Sequence, residues 1–218
     1  MHMRRTNTTT LTTFVRPTAT MTFSSPPGSS PITTITLPPR SAWTSGLHWH
    51  ETHTEFLRVV SGYAWVDISG IARIVSAADG DLVVPRFARH EWRRVGKGDG
   101  DGDGGEEEEE ELVMEEWTEP FDGSKEVFFR NLNSVILDPT RDRGWWVDWW
   151  LSLQLLVIFA ELDNYPVFWP RSHRRESEMV QYLVTHFVLG VAWFLGRALG
   201  ARGSYEEYTP SALVRKER

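Results

Sequence analysis

Four side chains able to bind a transition metal fall within two short stretches of this sequence. LHWHETHTEFLRVVSG, Leu47 to Gly62, carries His48, His50 and Glu55, and GDLVVPRFARH, Gly80 to His90, ends on a third histidine. In an extended segment successive side chains point to opposite faces, so His48 and His50 share one. Glu55 and His90 can then close a site of three imidazoles and one carboxylate. Such a set suits Fe, Mn, Ni, Cu or Zn better than Ca or Mg. His53 stands at an odd offset from His50 and reads as a residue of the opposite face, at the surface or behind the ligands.

The elements that must position these ligands are short strands. ITTITL, Ile32 to Leu37, is rich in β-branched residues and stops at Pro38-Pro39. Strands are expected over Phe56 to Val60, Ala64 to Ile68, Ala72 to Val75, Leu82 to Val84 and Glu91 to Val95. Two more are expected at Leu112 to Thr118 and Lys125 to Arg130, with turn residues between them. That rhythm predicts a β-sandwich or barrel. A lumen holding one small ligand follows from a barrel of this size.

The motif spacing resembles the cupin family. Its first motif, HxH, four residues, E, six residues, G, is met by His48, His50, Glu55 and Gly62. Its second, a glycine, a short strand and PxGxxH, is met by Gly80, Pro85 and His90, with Phe87 standing where the family prefers glycine. The gap between Gly46 and His48 is also shorter than is usual there. The resemblance covers about Ile32 to Arg130. It implies a mainly β fold, a double-stranded β-helix (jelly-roll) barrel, with His48, His50, Glu55 and His90 as ligands of a divalent transition metal. Fe or Mn is favoured, with Ni, Cu and Zn as alternatives. Arg58, Trp92 and Tyr63 lie on the motif strands and are candidates to stand behind the ligands. The run HTEFLRVVSG, with VPRFARHEWRR, KEVFFRNLNSVIL, an apolar tail and YEEYTP, is similar to fungal single-domain cupins, some encoded beside polyketide genes. That similarity implies a tailoring step on a small aromatic or polyketide-like substrate, by an oxygenase or other oxidoreductase, with dehydration, isomerisation and decarboxylation as the alternatives. The alternative is a non-catalytic small-molecule-binding or membrane-associated module.

Composition narrows the classes. The chain has 218 residues and a net charge of −7, of which Glu106 to Glu111 supplies six. There is no basic stripe, so nucleic acid is not an expected partner. With no cysteine in the chain, thiolate ligands, disulfides and a cysteine nucleophile are excluded. Residues 1–30 are rich in Thr, Ser and Pro and read as a disordered leader, 31–138 as the barrel, and 96–111 as an acidic low-complexity hairpin loop. The string Asp99-x-Asp101-x-Asp103-Gly104 imitates a calcium loop, but Glu106 occupies its apolar position and no helix flanks it.

Residues 145–218 read as a hydrophobic extension built on a helical hairpin. Uncharged runs from Trp149 to Ala160 and from Met179 to Gly196 carry it, and seven of the eleven tryptophans lie after residue 116. The hairpin is expected to pack on the barrel or on a second copy in a homodimer, to cover the barrel mouth, or to associate with a membrane through 145–200. The expected location is cytoplasmic, at a membrane if the hairpin seats there.

Overall fold

Alternation between buried and exposed side chains governs the β part of the chain. The computed structural model describes residues 5–96, 110–138, 145–169 and 175–214. Its strands are β1 (Thr13–Arg16), β2 (Ala19–Thr22), β3 (Thr33–Leu37), β4 (His48–Trp49), β5 (Thr54–Ser61) and β6 (Ala64–Ile68). They continue with β7 (Ile71–Val75), β8 (Asp81–Val84), β9 (His90–Arg94), β10 (Leu112–Glu119) and β11 (Tyr165–Pro166). Three helices complete the fold: α1 (Ser124–Leu137), α2 (Trp145–Glu161) and α3 (Arg175–Ala198).

The strands form two antiparallel sheets, ordered β1-β2-β3-β10-β5-β8 and β11-β4-β9-β6-β7. Ile35, Leu37, Leu57, Val59, Leu112 and Met114 of the first face Val66 and Trp92 of the second in one buried core. The two sheets match the sandwich among the expected architectures, and among the described residues no strand pair joins one sheet to the other. The chain changes sheets at the corner between β5 and β6, where Gly62 has φ 79°. A Cβ at Gly62 would lie 2.6 Å from the Glu111 carbonyl oxygen, so this corner also requires glycine for space.

Two expectations need correction. Part of the leader expected to be disordered is a hairpin, β1–β2, at the edge of the six-stranded sheet. Its threonines are good strand formers, and it buries Phe14, Ala19 and Met21. The segment Lys125 to Arg130, expected as a strand, lies in α1, whose buried face includes Val127, Phe128 and Val135. The acidic insertion falls largely on residues 97–109, outside the described residues.

The C-terminal extension is stitched into the sandwich. β11 pairs with β4, Tyr165 opposite Trp49 and Pro166 opposite His48. α2 buries Val147, Leu153, Val157 and Ile158, and the segment after α3 returns to bury Tyr205 and Tyr208. α3 differs: Met179, Leu183, Phe187 and Phe194 are exposed, and Ser177–Ala198 is long and apolar enough to cross a membrane.

Candidate metal centre

Strand register brings the four predicted ligands together. His48 on β4 stands directly opposite His90 on β9, with ring centroids 4.2 Å apart. Inward alternation along β5 points Glu55, Leu57 and Val59 into the core, and the same alternation on β9 points His90 and Trp92 there. His50 follows β4 and closes the group, 5.4 Å from the His90 ring. One donor atom from each of His48, His50, Glu55 and His90 lies within 4.8 Å of all the others, and all four residues are buried. Small side-chain adjustments close that span around an ion with bonds of about 2.0–2.2 Å.

Hydrogen bonding prepares these atoms as ligands. The Nδ1 atoms of His48, His50 and His90 meet the backbone carbonyls of Gly46 at 2.7 Å, Asp163 at 2.5 Å and Ala88 at 3.0 Å. A carbonyl only accepts, so each Nδ1 carries a proton and Nε2 is the atom left to face the site. Nε2 of His50, Nε2 of His90 and Oε2 of Glu55 are buried without a hydrogen-bond partner. His90 Nε2 and Glu55 Oε2 nevertheless stand 2.7 Å apart. Either a second proton on the His90 ring bridges this pair, or a cation beside it relieves two facing acceptors. Burial, followed by the neighbouring His90 and His50, holds His48 well below the usual imidazole range, in the neutral form a metal needs.

Lys125 and Glu116 extend the site, and neither was expected from sequence. Lys125, on the first turn of α1, donates to Glu55 Oε1 and lies 3.1 Å from Glu116 Oε2. Trp92 Nε1 donates to Glu116 Oε1 at 2.5 Å. Burial opposes ionisation of Glu55, but Lys125, His90 and His50 hold its carboxyl well below the usual range. Burial and then the charge of Glu55 push Glu116 upward, against the pull of Lys125. Lys125 is also costly to bury, yet Glu116 and Glu55 keep its ammonium charged beyond the ordinary lysine range. Alternation along LVMEEWTE placed Glu116 on the face of Leu112 and Met114, a readable signal of a buried acid.

Behind the ligands lies a second carboxylate hub. Asp163, at φ 52°, accepts from the backbone N–H groups of Glu51 at 2.8 Å, Thr52 at 3.1 Å and His53 at 3.1 Å. Its Oδ2 also takes the His53 ring Nδ1 at 2.7 Å. Burial works against ionisation here too, but the hydrogen bonds from His53, Thr52 and Glu51 bring the Asp163 carboxyl down to about 2. His53 is thus buried behind the ligands and not at the surface, with Asp122 Oδ2 3.4 Å from its Nε2. Of the other residues on the motif strands, Arg58 pairs outward with Asp81 at 2.6 Å and Tyr63 is exposed.

A cavity of about 440 Å³ opens beside the ligands, lined by His48, Glu116 and Lys125 at one part and by side chains of α1 and α2 elsewhere. That volume falls within the range of small-molecule sites.

No protein-family model matches the sequence, and comparison with curated proteins found no match. Solved structures do match part of it. KdgF from Halomonas sp. is similar over 48% of this chain and 81% of its own, at 20% identity and a TM-score of 0.35. The capsular polysaccharide assembling protein CapF from Staphylococcus aureus matches 49% of this chain and 27% of its own, at 21% identity and 0.37. A recombinant oxalate oxidase in complex with glycolate matches 42% of each chain, at 24% identity and 0.32. All three are cupin-fold proteins. The chain spans less than half the length of the latter two.

Proposed function

We propose that this protein is a cupin-type metal-dependent enzyme acting on a small organic molecule. The observation that carries the reading is the convergence of three buried imidazoles and one carboxylate, of which His50 Nε2, His90 Nε2 and Glu55 Oε2 have no hydrogen-bond partner. A ligand set of three nitrogens and one oxygen suits Fe or Mn, and also Ni, Cu or Zn. Such a metal, when bound, supplies Lewis acidity or one-electron chemistry beside the cavity.

The chain's own residues do the rest. His48, His50, His90 and Glu55 hold the ion, and the carbonyls of Gly46, Asp163 and Ala88 fix the tautomer that faces it. Lys125 steadies Glu55, leaving Glu55 Oε2 directed at the site. Glu116 presents a buried carboxyl to the cavity, tethered by Trp92 and Lys125, where it can accept or return a proton at Oε2. The burial of this group keeps bulk water from competing for that proton. An oxygenase or other oxidoreductase fits this set best, and the motif resemblance to fungal cupins supports a tailoring step on a polyketide-like intermediate.

Elemental analysis of protein purified without added metal or chelator tests the reading. Near-stoichiometric transition metal in the wild type, lost in His48→Ala/His50→Ala, is expected. Dioxygen uptake with candidate substrates then separates oxidation from other chemistry. If the wild type binds no metal even after reconstitution, the metal-enzyme reading fails and a ligand-binding sandwich is left.

A further inference from the structure

The cavity contains a charged residue that the metal centre does not use. Arg16, at the end of β1, lines the same space as His48, Glu116 and Lys125. It is partly buried, and burial lowers its pKa with no carboxylate acting in the other direction. Among the described residues no hydrogen bond or ion pair to the Arg16 side chain occurs, whereas Arg58, Arg89 and Arg130 each have one. A guanidinium stays protonated under all ordinary conditions, so its partial desolvation is uncompensated in the free protein.

The rest of the lining is largely apolar. Phe128 and Leu132 of α1 and Leu155 and Phe159 of α2 form much of it. A ligand that is mostly hydrocarbon therefore gains from these walls, and an anionic end gains a bidentate partner in Arg16. Lys125 cannot play that part as well. Two of its three N–H donors are directed at Glu55 and Glu116.

We propose that the cavity takes a small, largely apolar organic carboxylate, anchored through its charge by Arg16, with its body among Phe128, Leu132, Leu155 and Phe159. This names a substrate class for the metal centre and rests on that reading for its link to catalysis. The binding itself does not require the metal. A neutral molecule of the same shape leaves Arg16 without an anionic partner, so selectivity for the acid resides at this one side chain.

The test is calorimetric titration with 3-phenylpropanoate and with its neutral amide, 3-phenylpropanamide, on chelator-treated and on metal-loaded protein. The wild type should bind the acid at least tenfold more tightly than the amide. Arg16→Met should lose that preference while its affinity for the amide stays within twofold. Leu155→Trp, which fills part of the apolar lining, should weaken both ligands at least tenfold. Equal binding of acid and amide by the wild type, or a preference that survives in Arg16→Met, overturns the anchor. Undiminished binding in Leu155→Trp, or no binding of either probe to the wild type, overturns the cavity as the site. Metal content measured on the same samples keeps the two readings apart. Absence of metal in the wild type counts against the metal centre alone, because the Arg16 comparison is made on chelator-treated protein.

Discussion

Replacing Asp163 by asparagine tests whether the hub behind the ligands governs the metal centre. The substitution keeps the size of the side chain and tolerates the positive φ of 52°. It removes one negative charge that gathers three backbone N–H groups and the His53 ring. The carboxyl sits at about 2 against an ordinary 3.8, which corresponds to about 2.5 kcal/mol favouring the ionised form in the folded protein. Because the folded value is depressed, that stabilisation is complete above 3.8 and is lost as pH falls toward 2. At neutral pH the variant should therefore lose about 2–3 kcal/mol in denaturant unfolding of metal-free protein. The Asp163 carbonyl also fixes the His50 ring at 2.5 Å, so loosening residues 51–53 displaces a ligand. Loss of such a supporting contact typically costs about 10–100-fold in metal affinity. Chelator competition measures it. A variant that loses stability but binds metal within twofold of wild type would refute the coupling between this hub and the ligands.

Lys125→Met leaves Glu55 and Glu116 facing each other without their shared cation, and should cost about 3–5 kcal/mol in the metal-free protein. The loss should be smaller in the metal-loaded form, and equal losses in both would contradict the charge argument. Phe87, at φ 66°, adopts a conformation that favours glycine while its backbone N–H donates to the His50 carbonyl at 2.7 Å. Phe87→Gly should therefore raise the unfolding free energy by about 1 kcal/mol, and a loss of stability would show that the exposed ring is doing more than the backbone. Burial, and then the hydrogen bond and charge of Asp138, raise the Tyr208 phenol above its ordinary 10.0, with its hydroxyl donating at 2.5 Å. A raised value means the stabilisation is whole below 10.0 and declines as pH climbs beyond it. Tyr208→Phe should flatten the alkaline limb of the stability curve, and an unchanged limb would rule Tyr208 out as its cause.

The grouping of His48, His50, Glu55 and His90 was legible because period-two alternation and motif spacing are local properties. His48 and His50 share a face by their offset alone, and Glu55 and His90 each lie at an inward position of a recognisable strand. Strands β3 to β10 announced themselves in the same way. What escaped depended on partners distant in sequence. Thr-rich β1 and β2 look solvated until β2 pairs with β3. KEVFFR alternates poorly as a strand, but its apolar residues compete for one helix face only when the sandwich is there to cover it. Asp163 lies in an ordinary turn, and nothing local reveals that its carbonyl meets His50 across 113 positions. The choice between sandwich and barrel was likewise left open, since hydrophobic alternation is the same in both.

The pairing of β4 with β11 has a consequence for the order in which this protein is made. During synthesis His48, His50, Glu55 and His90 all leave the ribosome before Asp163 and Tyr165 exist. Until those later residues arrive, His50 lacks its orienting carbonyl and the short ligand strand lacks one neighbour. A nascent chain thus holds the donor atoms without the rigidity that selects among ions, and a loosely held ion binds according to availability. The surroundings of the four donor atoms are complete only once Asp163 and Tyr165 are in place.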